Sequence, residues 1–207
     1  MFIDIDQSLE RDEWLKLRVG KVTSSGVGKI MANAGKAFGP PAKEYAVKIA
    51  LEQLTGKGVG DNYTNAHMVR GTEQEPIAKA LYEELTFSEV KNGGFFDNGQ
   101  TGDSPDGLSY SDGVIEIKSV IGHVQFATIK RGKYDPSYKW QLVFHLRETG
   151  RDWVDYVSYS SDFPEGNRLY VYRCDRDEFK EEFKMVDERL EEFFILVEDS
   201  KKTILGG

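Results

Sequence analysis

The sequence predicts an α/β (α+β) fold, with a central mixed sheet of about five strands flanked by helices and a largely helical N-terminal part. Three observations predict it. Helical apolar spacing with start and stop signals runs through residues 13–85. Short extended runs separated by Pro-Asp-Gly and Asp-Gly turns fill the middle. A long amphipathic charged segment closes the chain. The 207 residues show no internal repeat, low-complexity tract or linker, so a single domain over residues 1–207 is expected, large enough to bury a core without staples.

Each element has a local reason. Residues 13–18 read as a short helix, and Ser24 or Ser25 can cap a second one reaching about Ala34. Residues 39–56 begin with prolines near the first turn and stop at Gly56, with Tyr45, Ile49, Leu51 and Leu54 as the apolar stripe. Residues 65–85 are helical again, with Ile77, Leu81 and Leu85 on one face and an irregular entry near Gly71. Extended runs follow at 93–97, around Asp103, at 108–111 and at 114–119. The Asp112-Gly113 turn is a strong hairpin signal. Helices are expected at 123–130 and from Asp135-Pro136 to just before Gly150, and strands at 153–160 and 169–173. A terminal helix over 176–200 would turn Phe179, Phe183, Val186, Leu190, Phe193 and Val197 inward.

Composition narrows the function classes. The single cysteine, Cys174, excludes an internal disulfide framework and a Cys-rich metal site, which suits a reducing, cytoplasmic setting. The acidic start lacks the basic and apolar regions of a signal peptide, and no apolar run approaches the roughly 20 residues of a membrane span. The net charge of −8 speaks against a nucleic-acid partner, but its distribution weakens that objection: residues 118–139 carry five Lys/Arg against one acid, while residues 171–202 carry seven against eleven.

The chemistry concentrates at Ser104-Pro105-Asp106-Gly107-Leu108 and, after the turn, Val114-Ile115-Glu116-Ile117-Lys118. Strand alternation sends Glu116 and Lys118 to one side and Ile115 and Ile117 to the other. The hairpin returns the chain so that Asp106 can lie near Glu116. Two close carboxylates repel each other until a hard cation such as Mg²⁺ takes their oxygens. Lys118 can then orient or deprotonate a water, or steady charge on a phosphate. Phosphodiester hydrolysis needs this set. Glu75 and Asp97 are plausible further acids. The plainer reading is a solvated Glu-x-Lys strand beside a common turn.

Pro105-Asp106 with Glu116-Ile117-Lys118 resembles the signature of restriction-endonuclease-like nucleases. The wider chain is similar to one branch of them, the bacteriophage lambda exonuclease family, or YqaJ-type viral recombinases. The matching pieces are Trp14, Arg18, Gly20, Thr23 and Ser25, then Gly71 and Glu75, then Ser104 to Leu108, then Glu116 and Lys118, and Gln141 in an aromatic helix.

That resemblance implies a Mg²⁺-dependent exonuclease that digests one strand of linear duplex DNA from its 5′ end. It would release mononucleotides and leave 3′ overhangs for single-strand-annealing recombination. Asp106, Glu116 and the Ile117 carbonyl would hold one metal. Asp97, one residue off the family spacing, would serve the second; two Mg²⁺ ions are expected, with Mn²⁺ able to substitute. Glu75 and Lys118 would orient the attacking water, with Gln141 in support. Arg18, Ser25 and Ser104 would bind the terminal 5′-phosphate; for Arg18 the alternative is a surface ion pair with Asp12 or Glu13. Met68 stands where the family carries a strand-separating wedge, or is plain core. Lys130, Arg131 and Lys133 would contact DNA, or are solvated loop charges. The resemblance further implies a ring-shaped homotrimer, a single-strand annealing protein as partner, and no membrane. An endonuclease or nickase of the same fold, or an inert DNA-end-binding module, are the competing readings. His145 shares a helical face with Gln141 and could touch the site, though structure is the preferred reading, and Cys174 reads as a buried small residue.

Overall fold

In this computed structural model residues 1–33, 36–60 and 66–207 are described, the side chains of 66–68 excepted. In chain order the elements are β1 (Phe2–Ile3), α1 (Arg11–Arg18), β2 (Val22–Thr23), α2 (Ser24–Met31), α3 (Pro40–Thr55), α4 (Ala66–Thr86), β3 (Val90–Lys91), β4 (Phe95–Asn98), β5 (Thr101–Asp103), β6 (Gly107–Ser109), β7 (Gly113–Ser119), α5 (Gly122–Arg131), α6 (Lys139–Thr149), β8 (Trp153–Tyr159), β9 (Leu169–Asp175) and α7 (Lys180–Ile204). Single 3₁₀ turns, Pro136–Tyr138 and Arg176–Phe179, lead into α6 and α7.

The expected five-stranded mixed sheet is present, in the order β3-β6-β7-β8-β9. Its centre is the β6–β7 hairpin, antiparallel with Leu108 opposite Val114. β7 and β8 run parallel, joined by the α5–α6 crossover, and β8 turns back into antiparallel β9. Gly113 is required at the hairpin because a Cβ there would collide with the Trp153 indole on the neighbouring strand. A second, four-stranded sheet in the order β1-β4-β5-β2 corrects the single-sheet expectation. The run around Asp103 therefore belongs to a different sheet from the run around Leu108.

Alternation along β7 divides the core. Ile115 and Ile117 pack with Trp153, Val157 and Tyr159 against Ala78 and Tyr82 of α4. Val114 packs on the opposite face with Val154, Tyr156 and Cys174, beneath Leu142, Val143, Phe144 and Leu146 of α6 and a larger layer from α2, α3 and α7. Glu116 and Lys118 share that second face by strand parity. Burying this much apolar surface, at about 25 cal/mol per Å², offsets the cost of the polar groups placed among it.

Three helical expectations are corrected. α4 runs unbroken through Gly71 and carries Pro76 in its interior. Ile77 and Leu85 do share a face, but it is the outward one, at 49% and 58% exposure; Ala78 and Tyr82 face the sheet, where Tyr82 Oη donates to buried Asp155 at 2.7 Å. In α3 Tyr45 and Ile49 are buried, whereas Leu54 is exposed and the seam is completed by Ala42, Ala46 and Ala50. Small residues let α3 approach α7 closely, so the larger leucines are left at the margin.

Candidate active site

Asp106 stands where the β6–β7 ladder ends. The last paired residues are Gly107 and Ile115, and beyond them the Asp106 carboxylate takes the next strand donor, accepting from Ile117 N–H at 2.6 Å. A carboxylate is thereby held at the strand edge, between the two faces of the sheet. Glu116 lies on one of those faces and α4, which carries Glu75, covers the other.

The Glu116 carboxylate is 2% exposed and surrounded by nitrogen groups. Lys118 Nζ lies 2.5 Å from Oε1, and Gln141 Nε2 donates to the same oxygen at 2.6 Å. His145 Nε2 lies 2.8 Å from Oε2, and its Nδ1 lies 2.7 Å from Asp103 Oδ2. Gln141 and His145, one helical turn apart on α6, thus reach the same carboxylate. Lys118 also sits 4.8 Å from the centre of the Tyr138 ring.

These distances set the electrostatics. Burial would raise Glu116, but Lys118 and His145 hold its carboxylate down at about 2. Burial raises Asp106 well above the carboxylate range, and the charges of Glu116 and Glu75 raise it further. Glu75 is likewise raised, by burial and by Glu116. Burial would lower Lys118, but Glu116 and Asp106 outweigh it and hold the amine above its ordinary value. Three carboxylates are thus crowded around one amine, which a divalent cation relieves. Among the described residues no three His, Cys, Asp or Glu side chains form a ready-made cage. The donors fit Mg²⁺ all the same, since that ion commonly takes one or two carboxylates and completes its shell with other oxygens and water.

A second cluster adjoins the first. Arg18 Nη2 donates to Thr23 Oγ1 at 3.2 Å and to Ser25 Oγ at 3.1 Å. The guanidinium stacks 4.4 Å from the centre of the Trp14 ring, and Trp14 Nε1 donates to Ser104 Oγ at 2.7 Å. Ser104 in turn donates to the Gly94 carbonyl, so its hydroxyl fixes Trp14. Ser104 is two residues from Asp106, which links the clusters through the chain. A cavity of about 330 Å³ opens beside Arg18, lined also by Lys21, Thr23, Ser25, Lys29 and Lys48. Gly20, with φ +71, turns the chain into it, its N–H bonded to buried Glu52.

Glu75, Asp106, Glu116, Lys118 and Gln141 are therefore brought together, as are Arg18, Ser25 and Ser104 around Trp14. Asp97 is paired elsewhere in the structure. Its carboxylate pairs with Lys21 Nζ at 2.8 Å and accepts from Gly99 N–H. The physical reason is register: Asp97 lies opposite Gly102, one position past the Phe96–Asp103 pair, and strand alternation turns it away from the side that Asp103 takes. Lys130 and Arg131 end α5 and Lys133 follows it; all three are exposed and without an ion pair among the described residues, Lys133 lying over Tyr134. The Met68 side chain lies outside the described residues. Sequence reasoning missed Asp103, and it preferred structure to site contact for His145, which the structure places against Glu116. The i, i+4 spacing of Gln141 and His145 was the available signal.

A model of the YqaJ-like viral recombinase domain matches residues 13–152. The chain belongs to the YqaJ-like viral recombinase family. LHK-Exo, an alkaline exonuclease from Laribacter hongkongensis, is similar over 94% of this chain and 98% of its own, with 34% identity and a TM-score of 0.79 in its complex with dAMP. Its other structure gives 33% identity and a TM-score of 0.78. A phage-related exonuclease from Haemophilus somnus 129PT, 18% identical with a TM-score of 0.63 over 93% of this chain and 98% of its own, shares the fold. No curated protein matches in sequence. Membership in the YqaJ-like family makes the coarse function that of a nuclease of this recombinase type. Among the described residues no helix is long and apolar enough to cross a membrane.

Proposed function

We propose that this YqaJ-like chain is a Mg²⁺-dependent 5′-to-3′ exodeoxyribonuclease that degrades one strand of linear duplex DNA to mononucleotides and leaves 3′ overhangs. The observation that carries the reading is the convergence of Asp106, Glu116 and Lys118 at one strand edge, with Lys118 Nζ 2.5 Å from Glu116. Asp106, Glu116 and the Ile117 carbonyl would hold the cation. When bound, it lowers the pKa of water and neutralises the phosphate.

The protein's own groups do the rest. Lys118, held above its ordinary value, keeps its proton at neutral pH and donates to the attacking water or a phosphate oxygen. Glu75, on the opposite helix, orients that water. Gln141 steadies Glu116 from α6. Arg18 and Ser25 receive the terminal 5′-phosphate, with the guanidinium held flat by Trp14. An anchored 5′ end places the adjacent phosphodiester at the carboxylates, which gives both polarity and mononucleotide products. The family resemblance extends this to a homotrimeric ring that hands its 3′ tail to a single-strand annealing protein.

End-labelled linear duplex and closed circular duplex, each with Mg²⁺ or EDTA, test the reading. The expected result is 5′-mononucleotide release from linear DNA alone, in Mg²⁺ alone. Nicking of the circle would identify an endonuclease, and inert DNA in every lane would leave an end-binding module.

A further inference from the structure

The Glu116 carboxylate has three close nitrogen neighbours, and the reading above uses only two of them. Lys118 and Gln141 both reach Oε1. Oε2 meets His145 Nε2 at 2.8 Å, and behind the ring Nδ1 meets Asp103 Oδ2 at 2.7 Å. His145 and Asp103 are 0% exposed and Glu116 is 2% exposed, so the row is sealed from solvent. It begins on β5 of the small sheet, passes through α6, and ends on β7 of the large one.

Nδ1 makes a hydrogen bond with Asp103, and Nε2 closes on Glu116 outside hydrogen-bond geometry, so the ring bridges the two carboxylates. Oε1 has two lone pairs and two donors. Oε2 has two lone pairs and, among the described residues, only His145. The ring therefore stands directly against Oε2, close enough to limit the rotation of the carboxylate. Asp103 does the same for the ring, fixing its plane from the other side. Carboxylate–histidine relays of this kind orient metal ligands from behind.

We propose that His145, anchored by Asp103, is a positioning residue that holds the Glu116 carboxylate in the orientation needed to bind a divalent cation. The proposal rests on the nuclease reading of the same site. A purely structural role would make His145 and Asp103 matter for stability and leave cation affinity alone.

Mn²⁺ titration of the DNA-free protein, followed by the electron paramagnetic resonance of free Mn²⁺, separates these roles. Thermal melts in EDTA and duplex binding in EDTA are recorded alongside. His145→Ala removes the ring nitrogen that contacts Glu116. His145→Gln keeps an N–H that can reach it. Asp103→Asn removes the anchoring charge at constant shape. The expected result is Mn²⁺ affinity about 10–100-fold weaker for His145→Ala, restored to within about threefold of wild type by His145→Gln, and about 10-fold weaker for Asp103→Asn. DNA-end binding in EDTA stays unchanged in all three. Wild-type Mn²⁺ affinity in a folded His145→Ala overturns the proposal, as does a His145→Gln variant no better than Ala. Should His145→Ala fail to fold, wild-type affinity in Asp103→Asn overturns it equally. Absence of Mn²⁺ uptake by the wild-type protein overturns the nuclease reading and this proposal together, which distinguishes the two failures.

Discussion

Replacing Asp106 by asparagine should abolish cleavage and yet stabilise the metal-free protein. Asp106 is half-buried, with the charges of Glu116 and Glu75 pushing its carboxyl well above the ordinary range after burial has already raised it. Two like charges at about 5 Å repel by roughly 3 kcal/mol at an effective dielectric near 20. Lys118 offsets much of this, leaving about 1–2 kcal/mol. Asparagine keeps an oxygen for the Ile117 N–H and removes the charge. For a chain of this size, about 1–2 kcal/mol corresponds to a rise in Tm of about 3–6 °C. The sign follows from linkage. A raised folded-state pKa means that the folded protein holds the proton more tightly, so stability falls as pH rises from the unfolded value, 3.8, through the folded one. The advantage of Asp106→Asn should therefore vanish near pH 4 and grow as pH rises. Excess Mg²⁺ should reverse the order, since a cation at 100 times its Kd stabilises only the wild type, by about 2.7 kcal/mol. Differential scanning fluorimetry in EDTA and in Mg²⁺ reads all of this. An Asp106→Asn variant with native circular dichroism that melts at or below wild type in EDTA at pH 8 would refute the crowded-carboxylate account.

Lys118→Ala should retain duplex-end binding but lose about 10²–10⁴-fold in single-turnover cleavage; cleavage at the wild-type rate would remove the lysine from the mechanism. Arg18→Ala should abolish the preference for 5′-phosphoryl over 5′-hydroxyl ends, read as the ratio of initial digestion rates, and a preference that survives would place the phosphate elsewhere. Cys174 is buried, and burial with Glu178 beside it pushes its thiol up to about 12 from 9.0, so the folded protein should resist thiol-specific reagents at pH 8. The same shift makes stability fall as pH rises above 9, where only the unfolded thiol ionises, and Cys174→Ala should flatten that alkaline decline in a series of thermal melts.

The hairpin that carries Asp106, Glu116 and Lys118 was legible because its turn residues and its period-two pattern agree. The small sheet was not. Phe2–Ile3 and Val22–Thr23 are two-residue strands, too short to show a period, and pairing with distant β4 and β5 alone defines them. That gap had a chemical consequence. Without the Phe96–Asp103 register, Asp97 looked like a further site acid and Asp103 like an ordinary strand residue, while the structure gives Lys21 to the first and His145 to the second. On α4 the apolar stripe was visible, but not which side meets the sheet. The Tyr82 hydroxyl, bonded to Asp155, and the small Ala78 decide that, and neither contact leaves a trace in periodicity. His145 was placed on the Gln141 face by spacing alone, and only the fold could show that both reach one carboxylate.

The central claim is that Asp106 and Glu116 share one divalent cation with Lys118 beside it. Anomalous diffraction from crystals soaked in Mn²⁺ measures this directly. A peak within bonding distance of Asp106, Glu116 and the Ile117 carbonyl is the expected result. Full Mn²⁺ occupancy elsewhere, or none at this strand edge in crystals of active protein, would contradict it.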